Sequence, residues 1–462
     1  MNWEQLALSR QEELLSELQQ LIQIESVLDE EAASEDMPFG EKPLEALQWL
    51  LARGDEQGMR TKNIDNMAGY IEMGEGDESL GILCHVDVVP AGEGWTYPPF
   101  EGQIVDGKMY GRGTIDDKGP TIAAWMAMKL VKDAGIPLNK RVRMIIGTDE
   151  ESGFRCVKRY FEREEMPTIG FAPDADFPLI NAEKGIATLI FSSMTAASSN
   201  ESLVSFHAGT RTNMVPERAT AIVVGQDEAF RHRFEAYLQK NQYIGSLLID
   251  GNQYIIDMKG KSAHAMEPHK GVNAGVLLAT FLQQELHGAR EQAFLTFIVD
   301  VFGRDVFGSA LCLHFEDDVS GPTTLNAGVM TYDEKRAEIA VSMRHSVTYL
   351  FDDKLRLAHE AVQPFQVALD VADYSPPHYV PEDDALVATL LDVYRQYTGD
   401  TQKPLSTGGG TYARELKKGV AFGMLFPGEV ELAHQQDEFV DIANLMKAVA
   451  IYAAAIERLA TN

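Results

Sequence analysis

Cysteine is scarce in this sequence, basic charge is outnumbered, and long apolar runs are missing. Three cysteines, Cys84, Cys156 and Cys312, are scattered over 462 residues. So sparse and odd a set excludes a disulfide framework and suits a reducing compartment. Lys and Arg total 40 against 70 Asp and Glu, a formal net charge of −30. A surface of that sign repels nucleic acid and anionic membranes, which leaves small molecules and cations as partners. No apolar run is long enough to span a bilayer. The opening stretch MNWEQLALSRQEELLSELQQLIQIESV has neither a basic n-region nor a continuous apolar h-region. It is therefore not read as a secretory signal, and the expected location is the cytoplasm.

What is present is a globular composition, 45% hydrophobic and 24% charged, at a length that predicts two domains or three. Leu14, Leu18, Leu21 and Ile22 recur at helical spacing and predict an amphipathic first helix. KPLEALQWLLARG reads as a helix with Pro43 near its start and Gly54 at its stop. SLGILCHVDVV is a strand. GPTIAAWMAMKLVKDAGIP is a helix with Pro120 in its first turn and Gly135 as its end, and KRVRMIIGTDEESGF is a strand running into an acidic turn. This βαβ rhythm predicts a parallel or mixed sheet covered by helices.

From about Glu183 the texture changes. GIATLIFSSMTAA, RATAIVVG, QYIIDMKG and AEIAVSMRH are strand-like, and GVNAGVLLATFLQQELHG is helical. They predict an inserted α+β domain with a mainly antiparallel sheet. The βα texture returns near His378, with the helix DDALVATLLDVYRQYTG, the strand VAFGMLFPG and a long final helix from FVDIANLM onward. The expected organisation is a catalytic domain from 1–182 and 379–462, interrupted by an inserted domain at 183–378.

Several polar residues do not suit a core. His85 and Asp87 share one face of a strand end, where period-two alternation places them together. They fit a metal ligand and its orienting partner, or a histidine held by ordinary hydrogen bonds. In MYGRGTIDDKGP, Asp116 and Asp117 stand in a glycine-rich turn before a helix. They fit an Asx turn and N-cap, or a carboxylate bridging two ions with Asp117 and Lys118 orienting the turn. Asp149, Glu150 and Glu151 end an apolar strand, where one carboxylate can bind metal while its neighbour moves protons. Asp174 and Asp176 lie between prolines in FAPDADFPLI, and His434 follows a strand in ELAHQQDEF. Histidines and carboxylates at the ends of separate β-segments are how a binuclear oxygen and nitrogen site is assembled. Metal-free, such acids would repel and raise one another's pKa values.

HVDVVPAGEGW, GRGTIDDKGP, TDEESGF and PDADFP, in this order, resemble the cocatalytic-zinc amidohydrolases related to aminoacylase, carnosinase and succinyl-diaminopimelate desuccinylase. DDKGP, the PDADFP loop and the single large insertion resemble the branch holding bacterial dipeptidases of the peptidase V type. The resemblance implies an α/β zinc-peptidase-like catalytic domain with an inserted lid. It implies two divalent ions per chain, zinc first and manganese or cobalt as alternatives. His85 and Asp174 would hold one ion, Glu151 and His434 the other, and Asp116 both. Asp87 would orient His85, and the Asp116–Asp117 bond would be cis. Glu150 would be general base and acid toward a hydroxide shared by the ions. In the lid, His264 would stabilise the oxyanion, while Asn213 and Arg344 would grip the substrate's polar ends. The amides of Gly409, Gly410 and Thr411, at a turn that opens a helix, would receive its carboxylate.

The implied activity is hydrolysis of dipeptides with a free N-terminus, β-alanyl dipeptides among them, by a monomer. An N-acyl-amino-acid deacylase or desuccinylase shares the same site, and a non-catalytic metal or peptide binder shares the fold. A dinucleotide enzyme is disfavoured, because no G-x-G-x-x-G follows the first strand.

Overall fold

The computed structural model describes residues 1–196 and 201–461. Its contacts divide the chain into two units. The first comprises Met1–Asn181, Tyr379–Leu405 and Gly410–Asn462, and the second Ala182–His378 with Ser406–Gly409.

The first unit is built on a mixed sheet. Arg60–Ile64, Ala68–Met73, Arg141–Gly147, Ser79–His85, Ile169–Ala172 and Gly419–Ala421 lie side by side in that order. The last four are parallel, and the first two pair antiparallel. Ser79–His85 is buried at every position, as expected for a parallel strand covered on both faces. Leu80, Ile82 and Cys84 pack in one cluster with Trp125 and Tyr452, while Leu83 joins an opposite cluster with Tyr160 and Tyr412. His85 has the parity of Leu83 and meets the Tyr412 ring edge-on at 6.0 Å.

The helix Lys118–Asp133 is buried from Lys118 through Val131. Its small and apolar residues surround it on every side, so it is a central helix, packed against the final helix Ile442–Thr461. Gly135 ends it at φ +65, the left-handed conformation a helix terminus demands.

Four local expectations are corrected. The opening amphipathic segment is two helices, Trp3–Ser9 and Gln11–Ile22, broken at Arg10. Gly54 does not stop its helix, which runs from Glu41 to Glu56; a left-handed Gly58 follows. A Cβ at Gly54 would stand 2.7 Å from the Thr61 side chain, so this glycine serves packing. VAFGMLFPG divides into Gly419–Ala421 and Met424–Leu425, and the final helix starts at Ile442. Phe439–Asp441 before it is a strand paired antiparallel with Lys108–Tyr110.

The second unit has an eight-stranded sheet whose neighbours all pair antiparallel. It runs from the edge strand Ile244–Asp250 to Val367–Ser375. Burial alternates along Gly185–Ser193 and Arg218–Val224, as in a sheet with one covered and one open face. The end of GIATLIFSSMTAA, Ala197, lies outside the described residues. Ser406–Gly409 groups with this unit, so the returning segment from 379 to 462 is not unbroken in the first. No helix of the described residues is long and apolar enough to cross a membrane.

Candidate metal centre

Parallel pairing sets the frame of the site. His85 is in register with Gly147, so the segments after both strands leave the sheet at the same edge. His85 ends one strand, Glu150 and Glu151 follow the next, and Asp174 follows Ile169–Ala172. Asp116 comes from the turn before Lys118–Asp133, and His434 from the segment before Phe439–Asp441. A sheet with parallel strands builds its sites at this carboxyl edge.

The two oxygens of Asp116 face two different histidines. Oδ1 is 3.0 Å from His85 Nε2, and Oδ2 is 3.0 Å from His434 Nε2. His85 Nε2 is also 3.7 Å from Asp174 Oδ2, and His434 Nε2 is 3.0 Å from Glu151 Oε2. Two donor groups result, His85–Asp116–Asp174 and Asp116–Glu151–His434, each with its ligand atoms within 4.8 Å of one another. Asp116 belongs to both. The Asp116–Asp117 peptide bond is cis.

His85 is wholly buried, and its Nδ1 lies 3.0 Å from the Asp87 carbonyl oxygen. With Nδ1–H donating there, the neutral ring turns its Nε2 lone pair toward the two carboxylates; burial lowers the pKa of the ring, but Asp116 and Asp87 push it well up in the metal-free protein. That buried Nε2 makes no aligned hydrogen bond, despite its short distance to Asp116. An orphaned imidazole lone pair facing two carboxylates, with no thiolate nearby, fits a hard or borderline divalent cation.

The loops are held by acids outside the two donor groups. The Asp87 carboxylate lies 3.4 Å from His85 Nδ1, farther than its own carbonyl, and accepts from Glu151 N at 3.1 Å. It thereby ties the histidine loop to the glutamate turn. Asp117 Oδ2 accepts from His85 N at 3.0 Å and from the Thr121 hydroxyl. Asp149 accepts from Arg155 N at 3.0 Å and from Nε and Nη2 at 2.8 Å each. Glu438, which the sequence did not single out, accepts from Arg112 Nη1 at 2.5 Å. Its position four residues after His434 was the only available signal.

Glu150 differs from Asp149 beside it. It lines a cavity of about 240 Å³ with Asp116, Glu151, Asp174, His434 and Thr411. No hydrogen bond holds its carboxylate among the described residues. Burial pushes its pKa well up; His85 opposes this, and Asp174, Glu151 and Asp116 add to it. Burial and Asp116 likewise raise Glu151 and Asp174. Burial would raise Asp116 too, but the imidazoles of His434 and His85, each 3.0 Å away, hold it low. Contacts with Asp116 and Glu151 lift His434 to about 10. A site that protonates its own histidine to offset its acids is a site shaped for cations.

The remaining predicted residues fall in both units. Gly410 and Thr411 line the cavity, while Gly409 groups with the second unit. The turn opens only the 3₁₀ segment Tyr412–Glu415, too short for a helix-terminus anion site. The Thr411 hydroxyl accepts from Ala413 N, and Gly409 N donates to Thr407 Oγ1. Within the second unit, Met214 and His264 form an antiparallel bridge, and Ala265 N donates to Asn213 O at 2.8 Å. Arg344 Nη1 donates to Gly408 O at 3.0 Å, and a Cβ at Gly408 would stand 2.6 Å from Met266 Cβ. Asn213, His264, Arg344 and the Gly408–Gly409 strip therefore gather in one place. Arg344 is buried there, not solvated.

The chain is similar to known proteins over nearly its whole length. The chain is 48% identical over 466 residues to "Putative dipeptidase YtjP" of Bacillus subtilis strain 168, covering all of both. It is 41% identical over 465 residues to "Putative dipeptidase SAB1611c" of Staphylococcus aureus strain bovine RF122 / ET3-1, covering 99% of each. Human carnosine dipeptidase 1 superposes with a TM-score of 0.58 at 15% identity, over 100% of this chain and 98% of that one. The dipeptidase Dug1p of Saccharomyces cerevisiae does so at 0.57 and 14%, with the same coverage. These two share the fold. Residues 81–458 match peptidase family M20/M25/M40, and the chain belongs to that family, as a hydrolase of metallopeptidase type.

Proposed function

We propose that the first unit binds two divalent metal ions through His85, Asp116, Asp174, Glu151 and His434, and that the protein hydrolyses dipeptides with a free N-terminus. The observation that carries this reading is the split of Asp116, each oxygen 3.0 Å from a different imidazole. Zinc suits the donors best, with manganese and cobalt as alternatives. When bound, such ions supply Lewis-acid polarisation of a carbonyl and acidification of water.

The chain's own residues supply the rest. His85 and His434 offer neutral imidazole nitrogens, and Asp116 holds the two ligand groups at a fixed separation. Glu150 is unpinned, half-buried and raised in pKa, which suits a group that takes a proton from the attacking water and returns it to the leaving amine. Asp149, clamped by Arg155, cannot serve that purpose. His264 is assigned to the oxyanion, and Asn213 and Arg344 to the substrate's polar ends. Their gathering within the second unit supports a shared task. Gly410 and Thr411 are assigned to the substrate carboxylate through their backbone amides, while the Gly409 amide, which donates to Thr407 Oγ1, could join them only by leaving that bond. The protein is proposed to be cytoplasmic, in keeping with its sparse cysteines, and monomeric, as the resemblance implies for its long lid.

The test is metal-stripped protein reloaded with zinc, manganese or cobalt in turn. Each form is assayed on α-dipeptides, β-alanyl dipeptides, and N-acetyl and N-succinyl amino acids. Turnover is expected on dipeptides and only with metal. Preference for the acylated amino acids would make the protein a deacylase. Metal binding without turnover on any of them would leave a binding protein.

A further inference from the structure

The loop that carries Asp116 is held by a carboxylate belonging to the other ligand segment. Glu438 lies four residues after His434 and is fully buried. Its Oε1 accepts from Gly113 N at 3.0 Å, from Ile115 N at 2.8 Å and, longer, from Asp116 N at 3.4 Å. Its Oε2 takes the Arg112 guanidinium at 2.5 Å, and Arg112 is 1% exposed. One carboxylate thus gathers a run of loop amides into a small anion-binding concavity. The backbone adds to the seam: Gly111 N donates to Glu438 O at 2.9 Å, and Phe439 pairs with Tyr110.

A buried ion pair is a poor way to gain stability. Desolvating both charges costs about what their attraction returns, and well-packed apolar side chains often do better. What such a pair does provide is geometry. Here the geometry concerns Asp116, whose two oxygens must face His85 and His434 at once. His434 itself is half exposed and stands on a segment without regular structure around it. Downstream in that segment Asp437 accepts from Thr96 N at 2.7 Å and Thr96 Oγ1 at 2.8 Å, and the next residue, Glu438, is the one tied to the turn of Asp116.

We propose that Glu438, neutralised by Arg112, is a positioning residue. It locks the turn of Asp116 to the segment of His434, so that the shared carboxylate and the second histidine are presented together. This rests on the two-ion reading above. It predicts that the pair governs ion affinity and not merely folding, as supporting groups behind ligands generally do.

The test is Glu438→Gln in the full chain. Glutamine keeps the volume, but its NH2 must face either Arg112 or the loop amides, donor against donor. Two quantities are read: zinc affinity by competition with a chromophoric chelator, and the melting temperature of chelated protein. Zinc affinity of the weaker site is expected to fall about 10- to 100-fold. The double variant Arg112→Met/Glu438→Gln frees the amide carbonyl to face the loop, and is expected to recover most of that loss. Zinc affinities within about threefold of wild type in Glu438→Gln, with only the chelated melting temperature lowered, would overturn the proposal. A double variant as weak as the single would overturn it too. If Glu438→Gln does not fold, Glu438→Asp keeps the charge, loses the reach and is judged by the same thresholds. Wild-type protein that takes up no zinc would remove the two-ion reading itself, and this inference with it.

Discussion

The two sheets treat polar residues differently. In the first unit, Ser79–His85 is buried at every position, so a histidine at its end has no solvent to fall back on. In the second, strands such as Arg218–Val224 alternate buried and half-exposed positions, and a polar side chain there is ordinary. Burying an unpaired polar group costs roughly 1–3 kcal/mol on mutational evidence, and a charge costs more. Polar residues at the ends of doubly covered strands therefore announce themselves. Those of a one-sided sheet do not, whatever their task.

The contrast can be broken at its strongest point first. Glu150→Ala is expected to lower turnover about 100- to 10,000-fold while leaving metal content unchanged. Turnover and metal analysis on the same preparation check this, and metal loss would instead exchange the roles of Glu150 and Glu151. His264→Ala tests whether the inconspicuous cluster of the second unit matters as much. A fall in kcat of about 100- to 1,000-fold is expected from loss of one oxyanion donor, and an unchanged kcat would refute the assignment. Asp87→Ala removes the acceptor of Glu151 N and the carboxylate beside His85. A fall of about 10- to 100-fold in zinc affinity is expected, read by chelator competition.

The smallest effect is a pH dependence in metal-stripped protein. His434 is raised to about 10, and Glu150, Glu151 and Asp174 are raised by burial and mutual repulsion. In every case the folded state holds protons that the unfolded chain has released. Stability contributed by His434 is complete below pH about 6.5 and is lost as pH rises through about 10. The three acids act in the same direction from pH about 4.5 upward. Chelated protein should thus melt lower at pH 9 than at pH 6, and saturating zinc should abolish or reverse the trend, because ions bind the deprotonated ligands. A melting curve that rises with pH after chelation would contradict these shifts.

Much of the first unit was legible because its signals are local. Apolar runs stopping at His85, Glu150 and Asp174 marked strand ends, and glycine and proline bounded Lys118–Asp133. Reading Gly54 as a helix stop failed for an instructive reason. A glycine required by a neighbour's side chain looks the same in sequence as one required by backbone conformation. Phe439–Asp441 was hidden likewise, since a three-residue strand beside a long helix carries no periodicity of its own. Glu438 was illegible for a third reason: an acid whose partners are backbone amides 322 to 325 positions away has no local pattern.

The order and kind of residues alone determined that two histidines and several carboxylates would stand at the ends of separate β-segments in an acidic, cysteine-poor chain. That follows from local chemistry, where polar residues interrupt apolar runs. Only the tertiary structure decided which of them meet. Parallel pairing aligned His85 with Gly147, the turn at Asp116 aimed one oxygen at each imidazole, and Arg155 removed Asp149 from contention while Glu150 stayed unpinned. Proximity between residues hundreds of positions apart is set by packing, and no short stretch of sequence contains it.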